Sequence, residues 1–244
     1  MRVAVCFSGV LRNFKHTFLN FNKYLITPLN ADVFLYGCEN KEGVKQNIED
    51  FNILFKPKSF IINNKRFYEK LSDNYPGILK SFVPQIFNIK ECYELVKDYE
   101  NKKNFKYDII IRARLDCFFF REITNNEIES AVSGKLLMPL EWAFKEVHPL
   151  AETDQFLISN RKNYEIYTSL YDNIYDYYPN INHPESIIGC YINKKNLIVE
   201  HTKRHYVFEY FNSDPMIDPI GFRAMGDWNI DNGWNEHNFR KSFD

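Results

Sequence analysis

Residues 105–120, FKYDIIIRARLDCFFF, set an unbroken apolar run directly against fixed charges, and the rest of the chain can be read outward from them. Asp108 through Ile111 is β-branched and free of glycine and proline, which predicts a buried strand. If the extended form continues, side chains alternate: Arg112, Arg114 and Asp116 leave one face while Ile111, Ala113 and Leu115 leave the other. Burying an unpaired ion is expensive, so these charges either pair among themselves to seal the strand end or face a ligand. The ligand reading is favoured because open α/β sheets bind ligands at the carboxyl ends of central strands. Gly9 and Arg12, after the first strand, should come to the same edge, so the strand end is read as holding a phosphate-bearing substrate.

With 244 residues the chain can bury an ample core in one sizeable domain. Its 31 basic and 32 acidic residues give a net charge of −1, so no nucleic-acid footprint is expected. Phenylalanine and tyrosine are abundant while glycine and proline are scarce, which excludes disordered and fibrous classes. Cys6, Cys38, Cys92, Cys117 and Cys190 are scattered with no CxxC pair, as expected of reduced thiols in a cytoplasmic protein. The N-terminal apolar run is too short for a signal peptide and no run is long enough to span a membrane.

In chain order, Val3 to Phe7 predicts a strand that runs through Ser8 and Gly9 toward a helix, an arrangement that offers backbone N–H groups to an anion. Residues 13–26 follow with one aromatic helical face, ended by Pro28, and then a strand from Asp32 to Tyr36. This β-α-β order predicts parallel pairing through a right-handed crossover. Residues 39–54 show some helical spacing, Ser59 to Ile62 reads as a strand, and 63–84 as an excursion with a Pro76-Gly77 turn. A helix over 85–101 delivers the chain to the central strand. Lys135 to Pro139 and Asp154 to Ser159 are further strands, and Asn160 caps a helix whose tyrosine face is read as core. His183-Pro184-Glu185 opens another helix, and Leu197 to Val199 is an edge strand. The whole predicts an α/β fold: a single Rossmann-like domain over 1–210 with a mainly parallel central sheet flanked by helices. The irregular tail, 211–244, carries Phe222, Trp228, Trp234 and Phe239 among Asn, Asp and Gly, and is expected to wrap the domain or cover a site.

Asp154 and Glu185 are the best-placed carboxylates for a general base, with helix or strand capping as the alternative for each. His183, His201 and His205 read as surface histidines before they read as ligands, and no zinc spacing is present. The sequence contains no Walker lysine loop, GxSxG elbow or complete GxGxxG, which excludes several nucleotide-binding and hydrolase classes.

VAVCFSGVLRNF, ADVFLYG, YDIIIRARLDCFF, TDQFLIS and HPESIIGCYI, taken as an ordered set over about residues 3–200, resemble a group of glycosyltransferase-like proteins of bacteria and large viruses. That group is similar to GT-A type nucleotide-sugar transferases. The resemblance implies a nucleotide-sugar donor, a glycan or glycoconjugate acceptor, and a cytoplasmic protein that can work beside membrane-bound acceptors. It implies that Ser8, Gly9, Arg12, Arg112 and Arg114 contact the nucleotide and its diphosphate, with Asp32 on the base or ribose. It also implies a divalent cation, Mn²⁺ or Mg²⁺, on an Asp-x-Asp pair. Here Asp116 matches the second acid and Arg114 replaces the first. Either one carboxylate and the donor phosphates hold the metal, or Arg114 itself neutralises the diphosphate.

Overall fold

The computed structural model describes residues 1–11, 14–39, 45–139, 149–202, 206–210 and 221–222. β1 (Val3–Val10) and β4 (Ile109–Ala113) lie side by side at its centre, parallel, with Val3 level with Ile109 and Phe7 with Ala113. Both are covered on both faces, which is why they read as continuous apolar runs rather than alternating ones. Ala4, Cys6 and Ile110 enter one core cluster, while Val3, Val5, Ile109 and Ile111 enter the other.

On one side of β1 lie β2 (Asp32–Cys38) and then β3 (Ser59–Asn63), both parallel to it. Across β4 come β7 (Phe156–Asn160), β6 (Lys135–Pro139) and β8 (Ile198–Thr202), giving the order β3-β2-β1-β4-β7-β6-β8. The mainly parallel sheet expected from the sequence is therefore present, and β7 is its antiparallel member. That reversal matters, because residues just before β7 arrive at the same edge as residues just after β4.

The helices refine the expected boundaries. α1 (Phe14–Phe21) continues through a π-type turn, 22–26, into α2 (Thr27–Leu29). Pro28, expected to end the helix, stands instead in the first turn of α2, where its missing N–H is not needed; Asn30, at φ 45°, ends it. α3 spans Lys45–Phe55.

The excursion expected over 63–84 is mostly helical. α4 (Lys65–Asp73) is capped by the Asn64 side chain, which accepts from the Phe67 N–H at 3.0 Å. α5 then begins at Leu79, not at 85, and runs to Lys103 with Pro84 inside it. A proline there removes one helical hydrogen bond, but Leu79, Phe82 and Val83 are fully buried in the first turns, and their packing carries the helix through. Asn104, left-handed at φ 54°, closes it.

α6 (Asn125–Val132) carries a capping box between Thr124 and Glu127. α7 (Arg161–Thr168) is capped by Asn160, as expected, with Tyr164 and Tyr167 buried. α8 (Pro184–Lys194) opens on His183, whose ring nitrogen accepts from the Ser186 N–H. A second, small sheet joins β5 (Cys117–Phe119) to β9 (Tyr206–Tyr210) and β10 (Gly221–Phe222), all antiparallel. Trp228, Trp234 and Phe239 of the expected tail lie outside the described residues. All five cysteines are free thiols, and among the described residues no helix is long and apolar enough to cross a membrane.

Candidate active site

From β1 the chain moves to β2 and β3 on one side, and β4 then enters on the other, so the connections leaving β1 and β4 diverge at the carboxyl edge. A crevice at such a switch point is the general ligand site of open α/β sheets. A cavity of about 230 Å³ lies here, lined from β1 by Ser8, Gly9 and Val10. Gly9 takes φ 122°, open to glycine alone, and a Cβ at Gly37 on β2 would overlap the Gly9 carbonyl oxygen. The strand end therefore needs glycine at both positions to keep its shape. Ser8 is 2% exposed, and its Oγ has no hydrogen-bond partner among the described residues.

β4 ends at Ala113, earlier than a continued strand would, and the chain turns so that the Cys117 N–H reaches the Arg114 carbonyl at 3.3 Å. Arg112, Arg114 and Asp116 nevertheless line the one cavity. Arg114 grips Asp116 with two bonds, Nε to Oδ1 at 2.9 Å and Nη2 to Oδ2 at 2.6 Å. Burial works against the Arg114 charge, but the Asp116 carboxylate, with Asp154 beyond it, overrides that and raises its pKa above the usual arginine range. Burial, then the Asp116 charge, pushes the neighbouring Cys117 thiol up, which keeps it protonated. Arg112 is buried and donates through Nη1 to the Gln155 carbonyl, while its Nε has no hydrogen-bond partner among the described residues.

Asp154 joins from the far side of β4, delivered by the reversed β7. The segment before it is pinned. The Glu152 N–H donates to the Glu185 carbonyl at 2.9 Å, the Glu152 carboxylate meets His201 Nε2 at 2.9 Å, and Gly189 leaves just the room that the Leu150 carbonyl occupies. Asp154 Oδ2 stands 3.8 Å from Arg112 Nη2, too far for a hydrogen bond, and is otherwise unpartnered. Glu185, the other candidate base, does not line the cavity; its carboxylate lies 3.5 Å from His183 Nε2, and Glu185 serves the start of α8.

Two further expectations part from the geometry. Asp32 opens β2, level with Ala4, whereas Ser8 is level with Tyr36, so Asp32 lies about 13 Å away along the strands, at the opposite edge. It accepts from the Tyr107 hydroxyl at 2.6 Å and pairs with Lys58 at 3.2 Å, a structural arrangement. Arg12 lies outside the described residues. In their place the structure supplies a wall that the sequence reading missed: Tyr68 and Ser72 from α4, with Lys80, Gln85 and Asn88 from α5. Asn88 is 1% exposed, and neither polar atom of its amide has a hydrogen-bond partner among the described residues. Its signal in the sequence is an amide set into an apolar helical stripe, four residues before Cys92 and eight before Val96.

The donor set does not suit a hard divalent cation. Both Asp116 oxygens are engaged by Arg114, and Asp154 faces Arg112. Among the described residues no three His, Cys, Asp or Glu side chains gather closely enough to hold a metal. What the site presents is a fixed guanidinium braced by a carboxylate, beside a second guanidinium and a separate carboxylate. Anion binding with a base nearby is within its chemistry.

No curated protein matches the chain. One family model, described as a domain of unknown function (DUF7796), matches residues 1–149, a span that holds β1, β4, the arginines, Asp116 and Asn88 but ends before Asp154. As that span is more than half of the 244 residues, the chain belongs to the DUF7796 family.

Proposed function

We propose that the protein transfers a sugar from a nucleotide-diphosphate donor to a hydroxyl of a glycan or glycoconjugate. The observation that carries this reading is the convergence, at one switch-point cavity, of Arg112, Arg114 and Lys80 with the Asp154 carboxylate. A departing nucleoside diphosphate gains negative charge as the glycosidic bond breaks, and preorganised cations in a partly dry cleft are an effective way to meet it. Arg114, held in place by Asp116, does so as a fixed positive charge, without a metal. Lys80, whose side chain is 57% exposed, adds charge at the mouth. Asp154 takes the proton from the acceptor hydroxyl; its unpartnered Oδ2 is the acceptor this step needs.

The free thiols suit a reducing compartment, and a cytoplasmic setting belongs to the same proposal. Asp154→Asn keeps the shape but cannot take the proton. Turnover should fall roughly 10²- to 10⁴-fold with donor affinity retained. Unchanged turnover would remove Asp154 from the chemistry. The arginine at position 114, where the resemblance sets an acid, favours one second reading: a subunit that binds the nucleotide sugar without cleaving it. Tight donor binding with no release of nucleoside diphosphate, with any acceptor, would select it.

A further inference from the structure

Arg112, Arg114 and Lys80 bring cations to the cavity. Asn88, Ser8 and Asp154 line it too, each buried to nine-tenths or more and each with a polar atom that no group among the described residues satisfies. An unmet buried polar group is costly, and leucine would fill the Asn88 position without that cost. Asn88 is also rigidly placed. Cys92 Sγ, four residues along α5, touches the Phe7 carbonyl at 3.4 Å, which sets Asn88 about 6 Å further toward the carboxyl edge, beside the end of β1.

The chemistry of these three groups is mixed. Asn88 offers donors and an acceptor, Ser8 Oγ can do either, and the Asp154 carboxylate only accepts. A phosphate, which only accepts, suits the Arg112 and Arg114 guanidinium groups, whereas directly against Asp154 it would be repelled. Hydroxyl groups, which both give and accept, fit all three. Size narrows the occupant further, because about 230 Å³ falls below the roughly 300 Å³ at which pockets begin to enclose a whole drug-sized ligand. A cavity of this size has room for a glycosyl phosphate end, but not for that end and a nucleoside together.

We propose that Asn88 and Ser8, beside the Asp154 base, form a subsite for adjacent hydroxyls of the donor's sugar ring, and that Asn88 is a specificity-determining residue for that sugar. The inference rests on the transferase reading above. The test is calorimetric titration of wild type, Asn88→Leu and Asn88→Ala with UDP, GDP and dTDP and with their matching nucleotide sugars. Both variants should bind the nucleotide sugar at least tenfold more weakly while nucleoside diphosphate affinity stays within twofold. Asn88→Leu should melt no lower than wild type, since an unpartnered amide is replaced by an apolar side chain of similar size. Equal losses for both ligands would mean that Asn88 reads the ribose or the base. Unchanged affinity for both, or a lowered melting temperature with no sugar-selective loss in Asn88→Ala, would mean a structural amide. Either result overturns the subsite. If wild type binds no nucleoside diphosphate and no nucleotide sugar, the transferase reading falls and takes the subsite with it.

Discussion

The two edges of the central sheet each carry a cluster of charge around buried groups, and the clusters are built in opposite ways. At the amino edge the Glu100 carboxylate, fully buried, accepts from Arg161 Nε at 3.0 Å, from the Tyr107 N–H at 2.8 Å and from Lys106 at 3.2 Å. Asp108 accepts from the Arg2 N–H at 2.7 Å, and Asp32 from Tyr107. Each of these carboxylates is satisfied from within the chain. At the carboxyl edge Ser8 Oγ, the Asn88 amide, Arg112 Nε and Asp154 Oδ2 are buried and unmet around one cavity. Saturated charge holds a fold together; unmet hydrogen-bonding capacity collected at one place marks where a ligand completes it.

Substitutions on the two edges should therefore break different properties. Glu100→Gln removes the centre of the amino-edge cluster and leaves Arg161 only the more exposed Glu165 carboxylate, 3.5 Å away. It should cost about 3 kcal/mol, by analogy with broken buried pairs, which for a chain of this size lowers the melting temperature by roughly 6–12 °C. Nucleotide affinity at a temperature where the variant is folded should not change. A large affinity loss in Glu100→Gln would erase the distinction between the edges.

On the carboxyl edge a smaller structural effect is expected with a larger functional one. Arg114→Lys keeps a positive charge for Asp116 but loses the two-pronged grip, so nucleoside diphosphate affinity should drop about tenfold, near 1.4 kcal/mol. The melting temperature should move by only a few degrees. Isothermal titration and a thermal melt on the same sample separate the two effects.

The charges at both edges surround groups that must remain neutral. Burial pushes the Cys6 thiol and the Tyr164 hydroxyl well up, Cys6 further so by its contact with Cys92. Their folded pKa values lie above the unfolded ones, so the stability they contribute is complete below the ordinary thiol range near pH 8.5. It is lost as pH rises from there through the tyrosine range near 10. Melting temperature should fall steadily between about pH 8.5 and 10.5. A flat profile over that span would contradict the burial of these groups. The smallest effect belongs to Lys80→Ala, expected to weaken nucleoside diphosphate binding about twofold to threefold at low salt and not at all at high salt, because an exposed charge is screened.

How much of this could be read from the sequence follows from the kind of signal each residue left. Arg112, Arg114 and Asp116 stood out because ions directly adjoin an apolar strand, and Asp154 because a carboxylate opens one; the sheet then brought them together. Asp32 carried the same local signal, an acid beside a strand, but at the strand's first residue, and only the parallel register with Ala4 shows it to be at the wrong edge. Pro76, Gly77 and Pro84 hid α4 and the first turns of α5, since each reads locally as a break, while the buried contacts of Phe82 and Val83 that override Pro84 are tertiary. Asn88 went unnoticed for a related reason: one amide in an aromatic-rich helix has meaning only once its lack of partners is visible.

The account stands or falls on whether the carboxyl-edge cavity binds a nucleoside diphosphate through Arg114. The most direct measurement is calorimetric titration of UDP, GDP and dTDP into wild type and into the Arg114→Gln, Asp116→Asn double variant, each in EDTA and in Mn²⁺. The double variant removes both charges of the pair together, so the fold should be kept. The account predicts that wild type binds at least one of the three with affinities in EDTA and Mn²⁺ that agree within twofold, and that the folded double variant loses about 100-fold. Wild type that binds none of them, or a double variant that binds as tightly as wild type, would contradict it.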